Sequence, residues 1–283
     1  MTIGEALRLA SHTLAEHSIE GASVEAELLL RHCLGIDRAR LYSRLGEEMA
    51  PADALALEGL LERRRGGEPA AYIVGWREFF GNQFLVEPGV FIPRPESELL
   101  VERALEFVAA RYPRGDVAIA DVGTGSGAIA ISLALALPRA RVYAVDLSRL
   151  ALEVAWRNCE RHGVAGRVLL LEGSLLEPLP EAVEVVVANL PYVAEGDIEA
   201  LDEGIRRFEP RQALAGGSDG LDWVRLLLGG VEGRLRVGGV ALLEIGAGQG
   251  EGAVAAARAA LPAAHVEVGR DLAGHERVLE VVP

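Results

Sequence analysis

A polar corner at the end of an apolar strand carries the residues best suited to chemistry. Residues 183–188 read Val-Glu-Val-Val-Val-Ala, a β-branched run that predicts a strand buried on both faces. The next four residues are Asn189, Leu190, Pro191 and Tyr192. Pro191 ends the strand because it fixes its own φ and has no N–H to donate. Ligands of open α/β sheets bind at the carboxyl ends of strands, so the amide and the phenol are candidates for chemistry, although a strand-ending turn alone would also fit.

A glycine-rich loop farther upstream has the composition of a cofactor site. It lies between a predicted strand and a predicted helix and contains Gly123, Thr124, Gly125, Ser126 and Gly127. Glycines let the backbone approach a ligand closely, and a helix start offers free N–H groups to a carboxylate or phosphate. Asp146 ends the next predicted strand, 19 residues after Gly127, where its carboxylate can bind both hydroxyls of a ribose. The loop and Asp146 together predict a nucleoside-containing cofactor. The loop fits the dinucleotide-binding motif poorly, but the loop and the acid alone do not distinguish NAD from S-adenosyl-L-methionine.

The elements that must position these residues alternate between strand and helix. Strands are predicted at residues 117–122, 141–146, 168–171, 183–188 and 240–245, with helical stretches between them. Such alternation predicts an α/β fold with a mostly parallel sheet and helices on both faces. Two further strands, at residues 264–268 and 277–282, follow too closely for a helical crossover. They are expected to form an antiparallel pair at the end of the sheet.

The chain before this sheet has a different organisation. Residues 1–70 predict a small helical bundle, whose helix starts are marked by Thr2 with Glu5, by Ser23, by Asp37 and by Pro51. Residues 71–95 predict a linker, with a β-hairpin that turns at Gly81 and Asn82 in a type II′ conformation and a stiff proline-rich segment after it. Residues 96–283 are predicted to form the domain that contains this sheet. The expected organisation is therefore a bundle, a linker and an α/β domain.

Composition excludes several classes of protein. The 283 residues carry a net charge of −14, and an acidic chain is poorly suited to bind a long phosphate backbone. Two cysteines are too few for a disulfide framework or a zinc site, so no metal is predicted. The chain has no continuous run of about 20 apolar residues and no basic segment at its start. We therefore expect a soluble cytoplasmic protein without a membrane partner.

Several motifs resemble one known family. The Asn-Leu-Pro-Tyr corner resembles the Asn-Pro-Pro-Tyr motif of S-adenosyl-L-methionine-dependent methyltransferases that act on planar amino or amide nitrogens. Residues 92–98, Ile-Pro-Arg-Pro-Glu-Ser-Glu, resemble the Ile-Pro-Arg-Pro-Asp-Thr-Glu linker of a subfamily in which this segment lines the catalytic cleft. Residues 206–210, 219–222, 243–246 and 271–274 also match that subfamily. From about residue 63 to its end, the chain resembles the peptide chain release factor N5-glutamine methyltransferase family.

This resemblance implies a class I methyltransferase fold, S-adenosyl-L-methionine as methyl donor, and a protein substrate. The substrate would be the glutamine of the Gly-Gly-Gln motif in class I peptide chain release factors, which the helical bundle would dock. The corner, with Arg94 and Glu98, would bind the substrate, and Asn189 would also touch the cofactor. Ser174 stands where such enzymes commonly place an aspartate on the adenine amino group, and Leu175 stands where a side chain packs on adenine.

Other functions share parts of this pattern. A ribosomal-protein glutamine methyltransferase would contain both loops and differ in its docking surface. A methyltransferase acting on exocyclic amines of nucleic acids would use a similar corner, but the acidic charge weighs against it. An inactive adaptor that binds S-adenosyl-L-methionine is a candidate from another class, and a dehydrogenase fits less well.

Overall fold

The computed structural model describes residues 1–283 and contains two compact units. The first consists of Met1–Trp76 together with Asp202–Phe208. The second consists of Arg77–Leu201 together with Glu209–Pro283. No helix of the chain combines the length and the apolar character needed to span a bilayer.

The first unit begins with five helices. They are α1 (Ile3–Glu16), α2 (Ala22–Leu34), α3 (Arg38–Ser43), α4 (Pro51–Arg65) and α5 (Ala70–Val74). Their apolar side chains meet in one core, to which Leu14, Leu29, Leu41, Leu57 and Ile73 contribute. The predicted helical bundle is therefore present, because each helix places its apolar stripe against the others.

Two of the predicted helix starts have different outcomes. At α1 the capping box forms, since Glu5 N donates to Thr2 Oγ1 at 3.2 Å and Thr2 N donates to Glu5 Oε2 at 2.8 Å. The prediction that Ser23 caps α2 is wrong. The cap position is Gly21, in the left-handed region at φ 65°, and no side chain caps this helix. A glycine that accepts this conformation starts the helix early and leaves Ser23 inside its first turn.

The hairpin consists of β1 (Trp76–Phe79) and β2 (Asn82–Leu85), and its turn differs from the predicted one. The central residues are Phe80 (φ 48°) and Gly81 (φ 71°), so both have positive φ as in a type I′ turn. The predicted type II′ turn at Gly81 and Asn82 is wrong. Two hydrogen bonds stabilise the unusual backbone of Phe80: its N–H donates to Glu98 Oε1 at 2.8 Å, and its carbonyl accepts from Asn82 Nδ2 at 2.9 Å.

The second unit contains a seven-stranded sheet. Its strands are β3 (Ala118–Val122), β4 (Arg141–Asp146), β5 (Val168–Glu172), β6 (Val183–Ala188), β7 (Leu235–Glu244), β8 (His265–Arg270) and β9 (Glu276–Val282). Their order across the sheet is β5-β4-β3-β6-β7-β9-β8, parallel as far as β7, with β9 and β8 antiparallel. The predicted α/β class, with its parallel sheet and terminal antiparallel pair, is confirmed.

Helices cover both faces of this sheet. In chain order the remaining helices are α6 (Glu98–Arg111), α7 (Ala128–Ala136), α8 (Arg149–Arg161), α9 (Glu203–Phe208), α10 (Asp222–Gly230) and α11 (Gly250–Ala260), of which α9 belongs to the first unit. Every residue of β3 and β6 is buried. Their alternate side chains enter two separate apolar cores, one with Ile119 and Val185, the other with Ala120 and Val186. The central strands are thus fixed from both sides.

Candidate active site

The carboxyl ends of the central strands bring the predicted site together. Val122, near the end of β3, is paired with Val145 of β4 on one side and with Ala188 of β6 on the other. The carboxyl ends of these three strands therefore lie side by side. The glycine loop (residues 123–127) follows β3, Asp146 is the last residue of β4, and the corner (residues 189–192) follows β6.

The glycine loop is held close to the corner. Gly123 N and Thr124 N both donate to the Val145 carbonyl, at 2.9 and 3.0 Å. Gly123 has φ 76°, and a Cβ there would lie 3.1 Å from Leu190 Cδ2 and 3.3 Å from the Asn189 carbonyl oxygen. Only glycine fits both this conformation and this approach, because any side chain would push the two loops apart.

Asp121, at the base of the glycine loop, is a buried carboxylate that is only partly satisfied. Its Oδ2 accepts hydrogen bonds from Thr124 Oγ1 at 2.6 Å and from Ala130 N at 3.1 Å. Its Oδ1 is buried without a partner, and so is Ser126 Oγ. Buried polar atoms are normally paired, so these two point to a ligand that supplies polar groups. Sequence reasoning gave Asp121 no role, because its burial follows from the packing of β3.

Burial raises the pKa of Asp121 from 3.8 to about 7. Between these two values the folded protein binds one more proton than the unfolded chain. The free energy of unfolding should therefore fall as the pH rises through this range, by at most about 1.4 kcal/mol per pH unit from this group. Urea unfolding at several pH values measures this free energy for the ligand-free native protein and for Asp121→Asn. The free energy of unfolding should fall more steeply with pH in the native protein. Equal slopes in the two proteins would contradict this prediction.

Asp146 lies at the end of β4, beside the glycine loop. Its Oδ2 accepts a hydrogen bond from Gly125 N and its Oδ1 accepts one from Ser148 N, both at 2.8 Å. Burial raises its pKa, whereas these backbone hydrogen bonds lower it. A carboxylate oxygen has two lone pairs, so each can still accept a hydroxyl. The side chain is therefore fixed in place and able to bind a ribose.

Asp146→Ala is expected to weaken S-adenosyl-L-methionine binding by roughly 10- to 100-fold, which is the loss of one or two hydrogen bonds to a charged group. Titration calorimetry measures this directly. Asp116→Ala is a matched control, because that carboxylate is exposed and pairs with Arg139 at 3.0 Å. Unchanged affinity in Asp146→Ala would move the ribose site elsewhere.

The loop after β5 lies next to Asp146. Gly173 N donates to the Asp146 carbonyl at 3.1 Å, and Ser174 and Leu175 follow directly. The Ser174 carbonyl accepts from Glu177 N at 3.0 Å, and Leu175 has a positive φ of 48°. The structure thus brings the residues predicted to contact adenine beside the residue predicted to bind ribose.

The corner has a defined orientation. Asn189 Nδ2 donates to Ser97 Oγ at 2.8 Å, which leaves the Asn189 side-chain oxygen available to a ligand. Gln249 Nε2 donates to the Tyr192 carbonyl at 2.9 Å, and Gln249 Oε1 accepts from Gly246 N at 2.7 Å. Burial raises the pKa of Tyr192 to about 12, so the phenol stays protonated. Backbone and side-chain contacts therefore hold both ends of the corner.

A second glycine-containing segment, residues 214–220, packs against the corner. Val193 N donates to the Leu214 carbonyl at 3.0 Å and Gly216 N donates to the Val193 carbonyl at 2.8 Å. Cβ atoms at Gly216 and Gly220 would lie 2.7 Å from the Pro191 carbonyl oxygen and 2.2 Å from the Tyr192 carbonyl oxygen. Sequence reasoning used these glycines only as family motifs. Their packing against the corner depends on a contact between residues far apart in the chain.

Arg94 and Glu98 each have a partner within the second unit. The Arg94 guanidinium forms an ion pair with the buried carboxylate of Glu209 and lies 5.1 Å from the centre of the Phe91 ring. Its charge also lowers the pKa of Tyr192, opposing the larger effect of burial. Glu98 accepts the hydrogen bond from Phe80 N at the hairpin turn. Arg94 is therefore held by Glu209 and Phe91, whereas Glu98 supports the hairpin.

Known proteins are similar to this chain in sequence. A family model described as "PrmC N-terminal domain" matches residues 5–75, and one described as "Ribosomal protein L11 methyltransferase (PrmA)" matches residues 103–203. The release factor glutamine methyltransferase of Moorella thermoacetica is 45% identical over 278 residues, which are 98% of this chain and 97% of that protein. Its counterpart in Geobacter sulfurreducens is 44% identical and covers 88% of this chain and 86% of that protein.

A solved structure supports the fold. A methyltransferase from Pyrococcus furiosus superimposes with a TM-score of 0.50 at 18% identity, over 71% of this chain and 89% of that chain. At this identity the match shows the methyltransferase fold alone. The full-length relatives show more, and by them the chain belongs to the release factor glutamine methyltransferase family.

Proposed function

We propose that this protein transfers a methyl group from S-adenosyl-L-methionine to the side-chain amide nitrogen, N5, of the glutamine in the Gly-Gly-Gln motif of class I peptide chain release factors. The observation that carries the proposal is the corner itself, where Asn189 stands beside the glycine loop with its Nδ2 engaged by Ser97 at 2.8 Å. A free carboxamide oxygen next to a nucleoside site suits an amide substrate. Full-length relatives named as release factor glutamine methyltransferases support it.

The residues around the glycine loop fit this cofactor. Asp121 Oδ1 and Ser126 Oγ are buried and unpaired, and would pair with polar groups of its amino acid part. Asp146 would hold the ribose, and Ser174 and Leu175 would contact adenine. When bound, the cofactor supplies an electrophilic methyl group on a positively charged sulfur.

The corner would compensate for the low reactivity of the substrate nitrogen. A carboxamide nitrogen reacts poorly because its lone pair is delocalised into the carbonyl. Asn189 Oδ1 and the Leu190 carbonyl oxygen would accept its two N–H groups, which orients the nitrogen and stabilises the positive charge that develops on it. Pro191 keeps this geometry stiff because its ring fixes φ. The methylated nitrogen then returns to neutrality by giving one proton to water.

Tyr192 would cover the planar amide. Its phenol is protonated at neutral pH, because burial raises its pKa to about 12. A neutral aromatic ring can stack on an amide plane and attracts a neighbouring positive charge. Arg94, whose charge is balanced by Glu209, would then contribute to the surface that binds the substrate.

The first unit would bind the protein substrate. Leu9, Val24 and Leu55 on its helices are exposed apolar side chains, with Leu55 76% exposed. A photo-crosslinking amino acid at Leu55 is expected to capture release factor, whereas the same group at the fully exposed Val237 of β7 should not. Equal capture from both positions would contradict docking by this unit. The proposal also places the protein in the cytoplasm, with its substrate.

The decisive experiment gives the protein labelled S-adenosyl-L-methionine with release factor, ribosomal protein or DNA, and locates the label by peptide mass spectrometry. Methyl on the Gly-Gly-Gln glutamine is the expected result. The match of residues 103–203 to a ribosomal protein L11 methyltransferase model makes ribosomal protein the second candidate. Label there or on DNA would replace the proposed substrate, and binding without transfer would indicate an inactive adaptor.

A further inference from the structure

A buried amide on α8 connects the glycine loop to the hairpin. Asn158 has 0% of its surface exposed and lies on a helix face whose other buried residues are apolar. Burying an amide among apolar groups costs free energy unless its polar atoms find partners. The elements that supply these partners therefore indicate what Asn158 does.

Both hydrogens of the Asn158 amide have acceptors, and the acceptors lie on different elements. Asn158 Nδ2 donates to the Leu85 carbonyl at 3.0 Å and to the Ser126 carbonyl at 2.9 Å. Asn158 Oδ1 accepts from Leu85 N at 2.7 Å. Turning the amide over would place its NH₂ group against the Leu85 N–H, so this orientation is fixed. Leu85 ends β2 of the hairpin and Ser126 lies in the glycine loop, so one side chain joins the two.

The glycine loop lets α8 approach closely enough for this contact. Gly127 has φ 82°, and a Cβ there would lie 3.2 Å from Ala155 Cβ and 3.0 Å from Ile131 Cδ1. Ala155 is three residues before Asn158, so both lie on the same face of α8. The helix therefore approaches the loop where position 127 has no side chain, and Asn158 reaches the backbone of Ser126.

Other residues of α8 contact the hairpin segment alone. Arg157 Nη2 donates to Glu87 Oε2 at 2.7 Å, and His162 Nε2 lies 2.9 Å from the Gln83 carbonyl oxygen. Both contacts are exposed to solvent. Asn158 differs from them because it is buried and continues from the hairpin to the loop.

The residue that Asn158 holds in the loop belongs to the cofactor site. Ser126 Oγ is buried without a partner, as is Asp121 Oδ1, and both would pair with polar groups of the cofactor. No hydrogen bond within the protein fixes this hydroxyl, so its placement depends on the backbone that carries it. Asn158 holds that backbone through the Ser126 carbonyl.

We propose that Asn158 is a positioning residue for S-adenosyl-L-methionine, an inference that rests on the proposed function because it takes this cofactor as the ligand of the glycine loop. Through the Ser126 carbonyl, Asn158 holds the loop in its binding conformation before the cofactor arrives, and it anchors the loop to β2. Cofactor affinity and the order of the hairpin are therefore coupled. Such coupling is reciprocal: the factor that the link adds to cofactor affinity is also the factor by which the cofactor stabilises the link.

Titration calorimetry with S-adenosyl-L-methionine tests the loop side of this coupling. Asn158→Leu keeps the size of the side chain and removes all three hydrogen bonds, and Asn158→Ala removes them with a smaller side chain. Each is expected to raise Kd about 10-fold, because the loop is in its binding conformation in a smaller fraction of molecules. During methyl transfer, KM for the cofactor should rise while kcat stays within about 2-fold. A native Kd in Asn158→Leu would overturn the proposal.

Two variants of α8 are matched controls. Arg157→Ala removes the ion pair with Glu87 and weakens the contact with the hairpin segment without changing a contact of the loop. Val154→Ala leaves a cavity on the same buried face, where Val154 packs with Val90, and should lower thermal stability about as much as Asn158→Leu. Both should keep the native Kd. An equal rise of Kd in Val154→Ala would show that Asn158 acts through general stability alone, and would refute the proposal.

Hydrogen exchange in the native protein tests the hairpin side and needs no variant. The Leu85 amide hydrogen, which Asn158 Oδ1 accepts, should exchange about 10-fold more slowly with saturating S-adenosyl-L-methionine, by reciprocity with the change in Kd. The Phe80 amide hydrogen is the control, because it lies at the turn of the same hairpin and is held by Glu98 at 2.8 Å. Its exchange should stay within about 2-fold. Equal slowing of both amides, or none at Leu85, would contradict the coupling.

Calorimetry and hydrogen exchange use the cofactor without release factor, so they separate this proposal from the proposed function. Native protein that binds the cofactor and shows the coupling, but labels no glutamine, would refute the glutamine substrate and leave the positioning role of Asn158 supported. Normal labelling of glutamine together with a native Kd in Asn158→Leu would refute the positioning role alone.

Discussion

Asn189→Ala should lower kcat by roughly 100- to 1000-fold, the loss typical when one group that stabilises developing charge is removed. The alanine removes the acceptor for a substrate N–H and also the donor to Ser97 Oγ. The Kd for S-adenosyl-L-methionine should change little, because it is the backbone carbonyl of Asn189 that lies near Gly123. Methyl transfer to release factor and calorimetry with the cofactor measure the two quantities separately.

Gln83→Ala provides the control for losing a side-chain amide. Gln83 lies on β2, is exposed, and binds Arg161 at 3.3 Å through its Oε1. Its loss should leave kcat unchanged. Turnover at the native rate by Asn189→Ala would remove Asn189 from the mechanism, and a joint loss of activity and cofactor affinity would assign it to the cofactor site instead.

Gly220→Ala should have the second largest effect. Its Cβ would lie 2.2 Å from the Tyr192 carbonyl oxygen and 2.3 Å from Gln249 Nε2, so the corner or its Gln249 support has to move. We expect kcat to fall about 100-fold through displacement of the corner. The free energy of unfolding should fall by roughly 2 to 5 kcal/mol, from steric overlap and from alanine at φ 78°.

Gly233→Ala separates the two causes. Gly233 has φ 79°, almost the same as Gly220, but no atom lies within 4 Å of its Cβ position. It should lose only about 1 to 2 kcal/mol, which is the cost of a left-handed alanine, and keep its activity. Equal kinetics for the two variants would show that the contact with Tyr192 has no effect on catalysis.

The parts of the fold that could be predicted are those set by local pattern. The β-branched run of β6, the alternation of strands and helices and the glycine loop predicted the central strands, their parallel arrangement and the cofactor side of the sheet. The hairpin turn was placed one residue too late. Its Phe80 has a positive φ that depends on Glu98, 18 residues away, and no local pattern indicates such a contact.

The surroundings of the corner could not be predicted for the same reason. Ser97 is 92 residues from Asn189, and Gln249 is 57 residues from Tyr192. Gln249 reaches Tyr192 because the sheet order places the end of β7 beside the end of β6, whereas Ser97 reaches Asn189 from its position just before α6. Arg94 and Glu98 were assigned by motif, and a motif does not reveal that Glu209 balances the charge of the first while Phe80 binds the second.

The close contact between Gly123 and Leu190 constrains how this protein can evolve. The Leu190 side chain fills the space where a Cβ at position 123 would lie, with 3.1 Å between Cδ2 and that position. A smaller residue at 190 would relieve only one constraint, because Gly123 also has φ 76° and its Cβ position lies 3.3 Å from the Asn189 carbonyl oxygen. Among related sequences, glycine should therefore persist at position 123, and position 190 should accept only side chains that fit against it.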